Sequence, residues 1–371
     1  MRTYKEIRPF APKENMPDGL YSREVKVQLR KVVLAVGAYF LVQIAVSGVI
    51  EVVLLFSSGL MNDIMQGAMG MVQGSAFDYN DLVESSTATA QETLSQYVGL
   101  IAIISAVAGL PVFLLLRGKR LFTTDLSVRH APLSPQAFMR LWIIAMGAQF
   151  VFNMGAAFLN KALESSGHSV TDLLNQSIQM MQTPSGLLYV CIVGPIVEEI
   201  VFRGAIMRSL ERFGLNFSIV ISSLVFGLFH IFTIQAVFAF FMGIILGYIA
   251  SRYSLKHSIL AHILINSVAT GVEWFGMLGG GADGTGPFYV LSNAILFAFF
   301  IGAIVLLVKE RWRFAEQRTV GAPIRIPGSP ERTGAALWSA AFTSVPLLVY
   351  IAVTLLAGIG MIFLPGFTLS S

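Results

Sequence analysis

The sequence predicts an all-α, polytopic membrane protein with about nine transmembrane helices, or eight at the lower count, and a cytoplasmic N-terminus. Three observations lead there. The 371 residues are 55% hydrophobic and only 12% charged, with a mean hydropathy of +0.72, whereas soluble domains carry about 25% charged residues. Apolar stretches long enough to cross a bilayer, about 17–25 residues each, recur along the whole chain. The basic residues fall in alternate connections, as cytoplasmic loops require.

The elements follow in order. Residues 1–30 carry Arg2, Lys5, Arg8, Lys13, Arg23, Lys26 and Arg30. They are too hydrophilic for a signal-peptide core, which leaves the first apolar helix as an anchor. The apolar cores are Val32–Leu55, Tyr97–Leu116, Phe138–Leu159, Gly186–Phe202, Leu215–Ile231, Gln235–Ala250, Ser258–Met277, Phe288–Val308 and Ala336–Leu364. With the N-terminus inside, 24 of the 25 lysines and arginines lie on the inner side and only Lys161 falls outside. The net charge of +4 and pI near 9.2 therefore report orientation in a lipid bilayer, and no nucleic-acid partner is expected. The outer stretch Met61–Gln96 has no basic residue and carries Asp63, Asp78, Asp81, Glu84 and Glu92.

This divides the chain into a cytoplasmic segment at 1–30, N-terminal helices with an acidic outer loop at 31–183, and a motif-bearing core at 184–270. A further helix at 271–308, a basic cytoplasmic linker at 309–335 and a last helix at 336–371 complete it. The single cysteine, Cys191, excludes an internal disulfide and reads as a core-packing residue. Met61, Met65, Met69 and Met71 could offer thioethers to Cu(I), but a flexible interfacial segment is the reading adopted. The glycine-rich run Gly279–Gly286 lacks the lysine of a phosphate-binding loop and reads as an outer turn. The linker Thr319–Gly334, with its prolines and glycines, precedes an appended helix.

Polar side chains inside spans mark function by default, because each is costly to insert. The spans hold Glu51, Asn153, Glu198, Glu199, His230, His262, Asn266 and Glu273, with Arg203 at an inner end. Glu51 and Glu273 lie near the outer interface and read as anchors, and Asn153 reads as an interhelical hydrogen bond. His130, His168 and His257 lie in loops or at a helix entrance without an evident partner. The other six form a pattern. Glu199 and Arg203 are four apart and can pair. Glu198 is displaced by about 100° from Glu199 on an ideal helix, so it faces elsewhere and lacks that partner. Glu198 and His230 lie equally far from Gly214, so in an antiparallel hairpin they reach equal height. His262 and Asn266 share one helix face.

One carboxylate, two imidazoles and a carboxamide suit hydrolysis of a peptide bond, which needs an activated water, an oxyanion donor and a proton for the leaving amine. The same Glu198, His230 and His262 also match a His₂Glu zinc set, in which a divalent metal would activate the water. The residues leave both versions open, so the cofactor is either none or a metal such as zinc.

The motifs EEIVFR (Glu198 to Arg203), FGLFH (Phe226 to His230) and HILIN (His262 to Asn266) resemble the signature of the CAAX-protease and bacteriocin-processing family of intramembrane proteases, also called the Abi family. The resemblance covers about Gly186 to Ala269. It implies that Glu198 activates the hydrolytic water with His230 and that His262 and Asn266 hold water or stabilise the oxyanion. Glu199 with Arg203 would support them structurally. It also implies a peptide or membrane-protein substrate and a bacterial cytoplasmic membrane. Two alternatives come from other classes: an ion- or proton-coupled transporter using the Glu/His set as a relay, and a non-catalytic membrane scaffold.

Overall fold

The structure of the chain is a computed structural model that describes residues 18–57, 60–72, 79–125, 132–164, 182–231, 233–278, 286–320 and 333–363. His130, His168, most of the Gly279–Gly286 run and most of the Thr319–Gly334 linker lie outside the described residues. Among the described residues every regular element is helical. We number them α1 (Asp18–Ser57), α2 (Leu60–Val72), α3 (Tyr79–Gly109), α4 (Pro111–Arg117) and α5 (Pro135–Glu164). Next come α6 (Pro184–Phe213), α7 (Leu215–Phe229), α8 (Thr233–Arg252), α9 (Leu255–Met277), α10 (Pro287–Val320), α11 (Thr333–Phe342) and α12 (Val345–Phe363).

Among the described residues seven helices are long and apolar enough to cross a membrane, and the pair α11 and α12, bent by 53°, brings the number to eight if it is one broken span. The chain is an integral, multi-pass helical membrane protein, and the expected count of about nine holds approximately. The ninth candidate is α7, whose 15 residues reach about 22 Å at 1.5 Å per residue. That is short of a hydrocarbon core of about 30 Å. The last span is broken rather than straight because Pro346, at the second position of α12, has no N–H to return into α11. The acidic outer stretch is largely helical, with Met65 and Met69 exposed on α2.

Two apolar clusters organise the interior. One gathers Tyr39, Phe113, Phe202, Phe226 and Leu347 from α1, α4, α6, α7 and α12. The other gathers Met146, Leu246, Ala261, Ile265 and Leu296 from α5, α8, α9 and α10. Small residues set the close approaches. A Cβ on Gly227 of α7 would stand 2.5 Å from the Ala236 carbonyl oxygen, and one on Gly243 of α8 2.8 Å from Ser223 Cβ. These contacts close α7 and α8 into a tight hairpin, and His230 stands at the turn between them.

Candidate active site

The helix that carries the acidic pair is shaped by Pro195. A proline inside a helix cannot donate, and its ring crowds the carbonyl four residues back. Here α6 widens into π-helical turns at Tyr189–Val193 and Glu199–Met207, on either side of an α-helical turn at Gly194–Glu198. The Gly194 N–H reaches back five residues to the Tyr189 carbonyl. In that pattern the Val190 carbonyl would be served by residue 195, which has no N–H. Another helix meets it instead: Asn266 Nδ2 donates to the Val190 oxygen at 3.0 Å. A buried group left unpaired costs about 1–3 kcal/mol, so the Gly194-Pro195 break and Asn266 are two halves of one feature.

The helix α9 starts from Ser254, whose hydroxyl accepts from the His257 N–H. Ser258, His262 and Asn266 then recur every four residues and share one face. Ser258 Oγ donates to Glu199 Oε2. His262 Nδ1 lies 3.0 Å from Glu199 Oε1, and Arg203 Nη1 approaches the same oxygen to 2.8 Å. Glu199 is fully buried and Arg203 is 1% exposed. The arginine Nη atoms lack an aligned hydrogen-bond acceptor, so this contact is a charge pair without hydrogen-bond geometry. The guanidinium also rests 4.3 Å over the Phe226 ring, a cation–π arrangement. These contacts cross from α6 to α9, at the seam of the two apolar clusters.

Glu198 occupies a different setting. Its side chain is 22% exposed, and its Oε2 lies 3.7 Å from His262 Nε2, beyond hydrogen-bonding distance. A carboxylate only accepts, so His262 Nδ1 carries the hydrogen towards Glu199, and Nε2 is turned to the Glu198 side. One imidazole thus stands between the two glutamates. The sequence had paired Glu199 with Arg203 alone, and the structure adds His262 and Ser258 to that carboxylate.

His230 follows the last residue of α7. Its Nδ1 is 2.9 Å from the Phe226 carbonyl oxygen, which fixes a hydrogen on that nitrogen and leaves the Nε2 lone pair free. Phe226 packs edge-to-face against both imidazoles, 4.9 Å from His230 and 6.1 Å from His262. No hydrogen bond or ion pair joins His230 to Glu198, His262 or Asn266 among the described residues. Directly after His230 the backbone reverses through Ile231 at φ +53°, a conformation that β-branched residues rarely adopt.

Among the described residues no three His, Cys, Asp or Glu side chains gather where they could hold a metal ion. A divalent metal held by Glu198, His230 and His262 would have to use Nε2 of the two imidazoles, because each Nδ1 faces an oxygen.

Other expectations resolve locally. Asn153 accepts from Gln149 of its own helix at 3.0 Å instead of bridging helices. His257 has a partner after all, the Ser254 hydroxyl at 2.7 Å from its Nδ1. Cys191 is half-buried and lines a cleft of about 340 Å³ with Ile192, Thr270 and Trp274, rather than being sealed in the core. Glu273 and Trp274 stand exposed. Sequence reasoning missed Ser258, although its place four residues before His262 marks the same helix face. It also missed the Val190 carbonyl, which Pro195 announces.

Fold and site define a class: a multi-pass helical membrane protein with a carboxylate–imidazole cluster inside its core. Residues 181–268 match the family model described as Rce1-like, type II CAAX prenyl endopeptidase. That match is consistent with the CAAX-protease and bacteriocin-processing family, supports an intramembrane protease of the CAAX type, and takes in all six motif residues. No curated protein and no solved structure matches the chain.

Proposed function

We propose that the chain is an intramembrane endopeptidase that hydrolyses a peptide bond of a membrane-associated peptide or protein in the bacterial cytoplasmic membrane. Glu198 takes a proton from the attacking water, whose oxygen adds to the scissile carbonyl carbon. The proton then passes to the leaving amine as the carbon–nitrogen bond breaks. His262, fixed through Nδ1 by Glu199, keeps its other nitrogen beside the reacting water. His230 supplies the second imidazole, with Nε2 free to hold water or the oxyanion. Asn266 uses one amide hydrogen on Val190 and keeps the other for the developing oxyanion. The Glu199–Arg203–Ser258 group is the buried support that orients His262. The observation that carries this reading is the 3.7 Å approach of Glu198 to an imidazole whose far side is held by a fully buried carboxylate.

The test is a cleavage assay with purified protein in detergent and a membrane-extracted peptide pool. A prenylated CAAX peptide is added because the matched family's description names that substrate. Wild type cleaves, and Glu198→Gln loses at least about a hundredfold in rate, the scale of general-base catalysis. Its folded yield stays unchanged. A strong chelator leaves the wild-type rate within about twofold; a complete loss would return the reaction to metal-activated water. Equal cleavage by Glu198→Gln would remove Glu198 as the base.

A further inference from the structure

Away from the protease motifs, a cleft of about 570 Å³ opens between the first turns of α1 and the elbow joining α11 to α12. Arg23, Lys26 and Arg30 line it on one side, and Thr343, Ser344 and Pro346 on the other. We infer that this cleft binds the headgroup of an acidic glycerophospholipid, with the three cations on its phosphate oxygens.

The argument starts from the spacing. Residues 23, 26 and 30 lie three and four apart and therefore share a helix face, rising about 10 Å at 1.5 Å per residue. All three side chains are exposed, and no carboxylate pairs with any of them among the described residues. By contrast, Arg117 holds Asp125 through two hydrogen bonds, and Arg208 holds Glu211 at 2.7 Å. The apolar core of the first span begins at Val32, directly after these cations, so they stand where phosphates of the inner leaflet lie. Loop orientation alone requires basic residues on this side. It does not require three unpaired ones to face a single cleft.

The opposite wall is also built for an anion. Here the 19-residue helix α12 begins, and the N-terminus of a helix carries a partial positive charge and free N–H donors. Ser344, 1% exposed, places a buried hydroxyl at this elbow with no hydrogen-bond partner among the described residues. A zwitterionic headgroup would bring its own cation against Arg23, Lys26 and Arg30, so the cleft discriminates by charge. Val27 and Val345, both exposed, continue the wall with apolar surface suited to the start of an acyl chain.

The experiment uses the full-length protein and measures bound lipid by native mass spectrometry, with phosphatidylglycerol and phosphatidylcholine as probes. Wild type retains phosphatidylglycerol in preference to phosphatidylcholine. The triple variant Arg23→Gln, Lys26→Gln, Arg30→Gln loses roughly a hundredfold in affinity, at about 1 kcal/mol for each basic side chain near the surface. A control triple, Lys119→Gln, Lys256→Gln, Lys309→Gln, removes the same charge from exposed positions outside the cleft and keeps the lipid. Equal loss in both triples would overturn the site in favour of general surface attraction. Equal retention of the two lipids would overturn the headgroup class, and displacement by millimolar inorganic phosphate would show a soluble anion as the ligand. None of these readouts depends on peptidase activity.

Discussion

Replacing Arg203 by methionine strands a carboxylate. Glu199 and Arg203 are 0% and 1% exposed and approach to 2.8 Å, so neither charge has water to fall back on. Breaking a buried pair by removing one partner typically costs about 3–5 kcal/mol, a large share of the 5–15 kcal/mol that holds a typical native protein together. Methionine preserves much of the volume beside Phe226, so the loss is electrostatic and not a cavity. Arg203→Met is therefore expected to reduce the monodisperse fraction after mild heating in detergent and to lower the denaturant midpoint. The diagnostic comparison is the double variant Arg203→Met, Glu199→Gln. Removing both charges relieves the stranded carboxylate, and the double variant should recover at least half of the lost stability. Ser258 can rotate its hydroxyl to meet the new amide. If the double variant is no more stable than Arg203→Met alone, the charge-pair account is refuted and packing against Phe226 is the reason the arginine is there.

Two further outcomes follow from the same contacts. Ser258→Ala removes a hydrogen bond to an ionised group, worth about 1.5–3 kcal/mol, and should lower the cleavage rate more than substrate affinity; an unchanged rate would show that His262 holds its place without it. Asn266→Leu leaves the Val190 carbonyl unpaired at about 1–3 kcal/mol, and adding Pro195→Ala should restore part of the stability by returning an N–H to α6. A double variant less stable than Asn266→Leu would break the proposed link between the helix break and the amide.

Much of this architecture can be read from the sequence, and what cannot has identifiable causes. Composition and the alternation of basic residues define a multi-pass helical protein, because insertion into lipid penalises charge so strongly. The pairing of Glu199 with Arg203 follows from four-residue spacing and survives the π-helical widening of α6. The shared face of His262 and Asn266 follows from α-helical periodicity in the same way. Equal distances from Gly214 place Glu198 and His230 at one height on an ideal hairpin, but the spacing announces neither the π-helical turns of α6 nor the Phe226 carbonyl that meets His230 Nδ1. Ser258 escaped notice because a serine at the entrance of a span is an ordinary residue there; only its carboxylate partner, 59 positions away in sequence, makes it part of the site.

The row on α9 also limits how the interior can open. Ser258, His262 and Asn266, spread over about 12 Å of α9, hold α6 at two points, Glu199 and Val190. Prising the two helices apart would break all three contacts. Under the proposed function, a peptide would therefore reach Glu198 from the flank where that side chain keeps its share of open surface, and not through the seam.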